Sequence, residues 1–591
     1  MKTLLTILLV IHSFSRLLSQ EPLTPFEKDK LTTTTYPECI RFYEELAEKY
    51  DIVKVIEYGE TDFGKPLHLI IISKDKVFDP EEIRRSGRIA LMINNGIHAG
   101  EPDGIDASMM LFHDLASGKV ENPIIGLSYT NLLDHVVIIN IAVYNVGGFN
   151  NRNSTTRVNQ VGPKEYGFRG NAQNRDLNRD FIKCDAKNAM TFAKIYHEWK
   201  PELFVDTHTT DGADYPYKMT YIAPAFNKPE PIALYMKNQL LPYLEGDMKK
   251  KNFPICPYVT MLKSTPDSGI VDFPETPRYS TGYISLFNTI GFVSESHMLK
   301  THQERVEATY EFLITLLNAA NSDYEKIKNL KLQADENAKT KTTFVLKWQL
   351  DSASFERYLF SGYEAKYKKS NATGFDRLYY DRNSSYTKEI NFYNKYWPEE
   401  TVTKPIAYII PQGWWQVIER LKINGVEMKR MSKDQPLEVE SYYIESYDTK
   451  STPYEGHYLH SNTKIRKVNQ TRKFFEGDYV IYTNQASNNF IMHVLEPESP
   501  DSYFNWNFFD AVLQQKEYYD EYLFEDIADS LLKANVALRK MFEGRKTVDE
   551  QFRNDPKVQL DFIYENSVYH EAEHMQYPVA RMEKEQKIEL K

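Results

Sequence analysis

The stretch that most constrains this chain is residues 89–118, IALMINNGIHAGEPDGIDASMMLFHDLASG. Ile89 to Ile93 are five unbroken apolar residues, the pattern of a short strand buried on both faces in a parallel sheet. Two Asn and a Gly end the run, and His98 and Glu101 follow in a turn. Pro102 stands where a helix can begin. Ile105, Met109, Phe112 and Leu115 then recur at helical spacing, and Gly118 is a natural stop. A strand buried on both faces needs neighbours on each side and helices above and below. The segment therefore demands an α/β sheet, and open sheets of that kind take ligands at their strand-to-helix turns.

Imidazole and carboxylate both bind zinc, and three protein ligands plus water make a hydrolytic site. On its own, His-x-x-Glu reads equally as two solvated loop residues, so a third ligand has to be found. Leu203 to Val205 form another short apolar strand that leads into Asp206, Thr207 and His208. Strand ends of one parallel sheet share an edge, so His98, Glu101 and His208 can converge on one ion. The rival, His197, sits in a helix before that strand. Ile290 to Val293 is a late apolar strand ending at Glu295, a carboxylate placed to face a metal without binding it and to act as general base. Asp176 is a candidate acceptor for the N–H of a ligand imidazole. The three cysteines, Cys39, Cys184 and Cys256, are too few and too far apart for a sulfur zinc site, and allow one disulfide at most.

The 591 residues are 41% hydrophobic and 26% charged, enough for several domains with real cores. A net charge of -11 without a basic patch argues against nucleic acid as a partner. Lys2, the apolar run Leu4 to Ile11 and the small Ser13, Ser15 and Ser19 read as a secretory signal over residues 1–20, which implies a secreted or periplasmic protein. No transmembrane segment is expected.

Residues 35–50, 185–199, 230–244 and 302–332 have helical periodicity. Val53 to Tyr58, Leu67 to Ile72 and Val136 to Val143 read as strands. Residues 145–180 form a long polar loop dense in Asn, Arg and Gly, and 253–282 read as loop. Alternating strands and helices give an α/β catalytic domain over 21–332, with a mixed, mostly parallel sheet flanked by helices. The charged stretch 333–342 is the expected linker. Residues 343–591 change style to short aromatic and β-branched runs, a β-rich region with a helical tail near 518–543.

In order along the chain, HAGE, DLNRD, DTH and SES resemble the motifs of the zinc carboxypeptidases, the family typified by the pancreatic digestive enzymes. The resemblance covers about residues 35–325. It implies one zinc per chain on His98, Glu101 and His208, with Glu295 as general base toward a zinc-activated water and Asp176 holding a zinc histidine. It implies that Arg157, with Arg152 as its rival, polarises the scissile carbonyl. Asn178 and Arg179 would clamp the terminal carboxylate, a task that suits the planar fork of arginine. Tyr279, ahead of Tyr283, is the expected mobile tyrosine. The substrate so implied is a peptide with a free C-terminus. Ala99 and Gly100 stand where the digestive enzymes have an arginine, so one of their substrate contacts is missing here. Two other functions fit the text: an amidohydrolase of the same fold acting on cell-wall peptides or a small amide, and a surface-binding protein that works through its C-terminal module. A second zinc-like motif, HEAEH at 570–574, reads as a polar helix end rather than a metal site.

Overall fold

A computed structural model describes residues 23–119, 121–122, 127–128 and 131–591, so the expected signal at 1–20 lies outside the described residues. An eight-stranded sheet organises the first part of the chain. Its strands are β1 (Val53–Glu60), β2 (Pro66–Ile72), β3 (Ile89–Asn95), β4 (Val136–Ile141), β5 (Leu203–Thr210), β6 (Met219–Ile222), β7 (Ile255–Pro257) and β8 (Ile290–His297), in spatial order β1-β2-β4-β3-β5-β8-β6-β7. The middle four, β4, β3, β5 and β8, run parallel. They are the most apolar runs of the sequence because helices cover both their faces. The antiparallel pairings β1–β2, β2–β4 and β8–β6 make the sheet mixed.

The opening stretch folds as its spacing demands. β3 is buried throughout, and the helix Asp103–Ser117 starts after Pro102 and stops at Gly118 in the left-handed conformation. Gly96 takes a φ of 68° to turn the chain out of the sheet. At Gly104 a Cβ would stand 1.9 Å from Thr207 Oγ1, so only glycine lets this helix start against β5.

Several expectations are corrected. β5 and β8 run on to Thr210 and His297, so His208 and Glu295 lie within strands rather than at their ends. The expected helix 302–332 is two helices, His302–Ser322 and Tyr324–Thr340, separated at Asp323. The stretch 333–342 is therefore no linker up to Thr340. Its charges form the solvated face of a helix that buries Ile327, Ala334 and Ala338. Within 253–282 there are short strands, and the helix Ser280–Ser285 begins there. All three cysteines are buried and free.

The chain divides into two compact units. One holds the described residues up to Lys404, with Glu419–Glu427 and Asn484–Val494; the other holds Pro405–Ile418, Met428–Thr483 and Leu495–Lys591. Beyond the sheet, the first unit carries a long antiparallel hairpin, Glu356–Lys369 with Asp376–Tyr393. The second has a six-stranded sheet around Ile409, Leu437, Val439 and Val480, and a helical tail from Glu521 to Glu565. HEAEH lies in turns after that tail, so its two histidines do not share a helix face. Among the described residues, no helix is long and apolar enough to cross a membrane.

Candidate metal centre and cleft

The parallel strands bring the candidate ligands together at one sheet edge. His98 and Glu101 come from the turn after β3, and His208 from β5 beside it. Both imidazoles turn Nδ1 inward. His98 Nδ1 lies 3.2 Å from His208 Nδ1 and 3.2 Å from Glu101 Oε1, and His208 Nδ1 lies 3.1 Å from Glu101 Oε2. The three residues are buried, and their ligand atoms lie within 4.8 Å of one another. Among the described residues they are the one group of three or more His, Cys, Asp or Glu placed to hold a metal ion.

The outward nitrogens explain why the inward ones are free to ligate. His98 Nε2 meets Asp176 Oδ1 at 3.1 Å, and His208 Nε2 meets Asp206 Oδ2 at 3.0 Å. A carboxylate behind each ring holds the proton on Nε2 and leaves the Nδ1 lone pair facing the centre. Two nitrogen lone pairs and a carboxylate then converge on one point, which is repulsive without a cation between them. Two imidazoles and a carboxylate with an open side fit zinc. Asp206 and His208 share a face because they are two apart on a strand. Asn94 Nδ2 donates to Asp206 Oδ1 at 3.3 Å. The role of Asp206 was missed in the sequence, although its spacing from His208 was the signal.

Glu101 is held from three further sides. Arg157 Nη1 donates to Oε1 at 2.8 Å, Thr209 N donates to Oε2 at 2.9 Å, and Arg169 stands 3.9 Å away. Burial raises its carboxyl, and the Arg157 guanidinium beside it pulls the other way. Behind it, Thr209 Oγ1 donates to Asp103, which also takes bonds from Ser296, His302 and Arg305. This buried cluster pins the start of helix Asp103–Ser117 to helix His302–Ser322.

A cleft of about 400 Å³ opens over the centre. Glu295 lines it, on β8 directly opposite His208 on β5. Burial pushes the Glu295 carboxyl up to about 8. Asn178, Arg179 and Tyr279 line the cleft too, and the Arg179 guanidinium stacks on the Tyr279 ring at 4.2 Å. Tyr283 is instead fully buried and bonded to Asn424, in the core. His197 reaches Tyr283 and lies outside the cluster.

Two arginines reach the centre where the sequence pointed to one. Arg157 is committed to Glu101, Gln160 and the Thr209 carbonyl, with 14% of its side chain exposed. Arg152 bonds the Thr34 carbonyl. Arg169, missed in the sequence, is held by Asp176 through Nε and Nη2 at 3.0 and 2.8 Å, and its Nη1 lies 3.3 Å from His98 Nδ1. It lines the cleft with 45% of its side chain exposed. Its nearness to Asp176 within one polar loop was the available signal.

Residues 39–234 match a family model described as zinc carboxypeptidase. A curated relative, carboxypeptidase 2 of Trichophyton rubrum, is 20% identical over 436 residues, 71% of this chain and 73% of its own length. The protein of the same name from Trichophyton equinum is 21% identical over 456 residues, 74% and 76% of the two chains. Among solved structures, carboxypeptidase A from Helicoverpa armigera is 14% identical, covering 49% of this chain and 74% of that one, with a TM-score of 0.36.

Proposed function

We propose that this chain, whose residues 39–234 match a zinc carboxypeptidase family model, is an exported metallopeptidase that releases C-terminal amino acids from peptides. The observation that carries this reading is the pair of inward Nδ1 atoms, each backed by a carboxylate, meeting Glu101 beneath a cleft that Glu295 lines. His98, Glu101 and His208 would hold the zinc, which when bound supplies Lewis-acid polarisation of water and of the scissile carbonyl.

The chain's own groups do the rest. Asn178 and Arg179 take the substrate's terminal carboxylate, and Tyr279 braces the guanidinium from its far side. Arg169, tied to Asp176 and still half open to the cleft, is the cation placed to meet the oxyanion that develops on the carbonyl. Arg157 is bound to Glu101 and serves to orient that ligand. The Glu295 carboxylate takes a proton from the attacking water and passes it to the leaving amine. Export rests on the leader-like residues 1–20.

The test is Glu295→Gln in the full chain. Hydrolysis of a peptide with a free C-terminus is expected to collapse while zinc, measured by mass spectrometry, stays near one per chain. Turnover retained in that variant would refute the assignment.

A further inference from the structure

A second cavity of about 520 Å³ lies in the same unit and shares no lining residue with the catalytic cleft. Its size is in the range of about 300–1,000 Å³ common to small-molecule sites. Two buried polar groups on its wall are left under-used. Lys228 is 7% exposed, and of its three N–H donors one reaches Asn227 Oδ1 at 3.2 Å. Asn288 is 1% exposed; its Nδ2 donates to Asp335 Oδ1 at 2.8 Å, which fixes which way the amide points. Its Oδ1 accepts from no described residue. A buried acceptor without a donor costs about 1–3 kcal/mol, so such groups are found where something else supplies the bond.

The charge on the wall has one sign. Lys341 lines the cavity with Lys228, and no described lining residue carries a carboxylate. The Glu275 and Asp272 carboxylates attract Lys228, but burial outweighs them and pushes its ammonium down to about 7. A carboxylate brought to it would restore its charge. Leu286, Val345 and Trp348 give the wall an apolar patch, among uncharged polar groups such as Asn337, Thr342 and Asn489.

We propose that this cavity is a second ligand site, for a free α-amino acid with an aliphatic side chain. Its carboxylate would pair with Lys228 and Lys341, its α-ammonium would fill Asn288 Oδ1, and its side chain would lie against Val345 and Trp348. The ligand class follows from the lining and does not depend on the metallopeptidase reading.

The experiment is calorimetric titration of L-leucine into full-length Arg179→Met protein, in which the proposed carboxylate clamp of the cleft is gone. Saturable binding is expected. It should weaken by about tenfold or more on adding Lys228→Met, the loss of one charge-assisted contact. Lys341 is exposed, so Lys341→Glu gives a second variant with little risk to folding, and it should weaken binding in the same direction. Leucinamide, without the carboxylate, and 4-methylpentanoate, without the amine, should each bind about tenfold less tightly. The proposal is overturned if leucine binding disappears with Arg179→Met alone, if neither lysine substitution changes it, or if 4-methylpentanoate binds as tightly as leucine.

Discussion

Replacing Arg169 and Arg157 separately by Met distinguishes two roles that the sequence could not tell apart. Arg169 keeps 45% of its side chain exposed in the cleft while Asp176 anchors it, so its open N–H edge is available to a substrate oxygen. Losing one such donor costs about 2.7–4 kcal/mol in the transition state, or about 10²–10³ in kcat. Asp176 still accepts from His98 Nε2 and from Asn178 N, so zinc content should hold. Arg157 is different. Its 2.8 Å bond to Glu101 is shielded from water, with side-chain exposures of 14% and 3%. Removing it frees a ligand carboxylate to rotate, and loss of such outer contacts costs about 10–100-fold in metal affinity. Arg157→Met should therefore weaken zinc by that factor while kcat per zinc-loaded chain stays near wild type. The assays are steady-state hydrolysis of a blocked dipeptide under saturating zinc, and zinc affinity by competition with a chromophoric chelator. The reasoning is refuted if Arg157→Met loses the larger part of kcat at full zinc occupancy while Arg169→Met does not.

Three further outcomes are expected. Arg179→Met should raise KM for peptides with a free C-terminus and erase the preference over their C-terminal amides, read from the ratio of kcat/KM for the two substrates; an unchanged ratio would remove Arg179 from the clamp. Asp206→Asn should weaken zinc by about tenfold or more, because the carboxylate that fixes the His208 tautomer is gone; equal affinity by chelator competition would contradict that role. His302 is buried, and although burial lowers its affinity for a proton, Asp103 and Asp106 outweigh that and raise its folded value above the ordinary one. Its pairing with Asp103 and Asp106, beside Arg305 on the same carboxylate, should thus add stability in full below pH about 6.5 and lose it as pH rises through the raised value. The gap in unfolding midpoint between wild type and His302→Gln should shrink over that rise, and a constant gap would disprove the linkage.

The candidate ligands and Glu295 were legible because each is tied to an apolar run whose place in a parallel sheet is forced. Once Ile89–Ile93, Leu203–Val205 and Ile290–Val293 are strands buried on both faces, His98, Glu101, His208 and Glu295 share an edge. Asp176 was legible from its residue type and the motif around it. Arg169 was not, because 145–180 has no periodicity and a loop's course is set by tertiary bonds such as Asn145 to the Arg169 carbonyl. The misread at 333–342 has the opposite cause. A helix that buries only Ile327, Ala334 and Ala338 shows mostly charge, and that resembles a linker. The break at Asp323 hid within an unbroken helical rhythm, and the hairpin strands of 14 and 18 residues hid in polar, half-exposed sequence.

That hairpin has a consequence for where this enzyme can be cut. Ile270 and Val271 pair in parallel with Phe392 and Tyr393 on its second strand. Ile270 and Cys256 pack against Phe360 and Ile390 from its two arms. The segment that carries Phe273 and Tyr279, both lining the cleft, leaves directly from this join. A protease nick or a shortened gene that ended at Thr340 would strip the support from the cleft wall and bare a greasy face to solvent. A form cut at Lys404 would still lack Glu419–Glu427 and Asn484–Val494, which belong to the same compact unit, so what looks like an appendage is part of the body that carries the cleft.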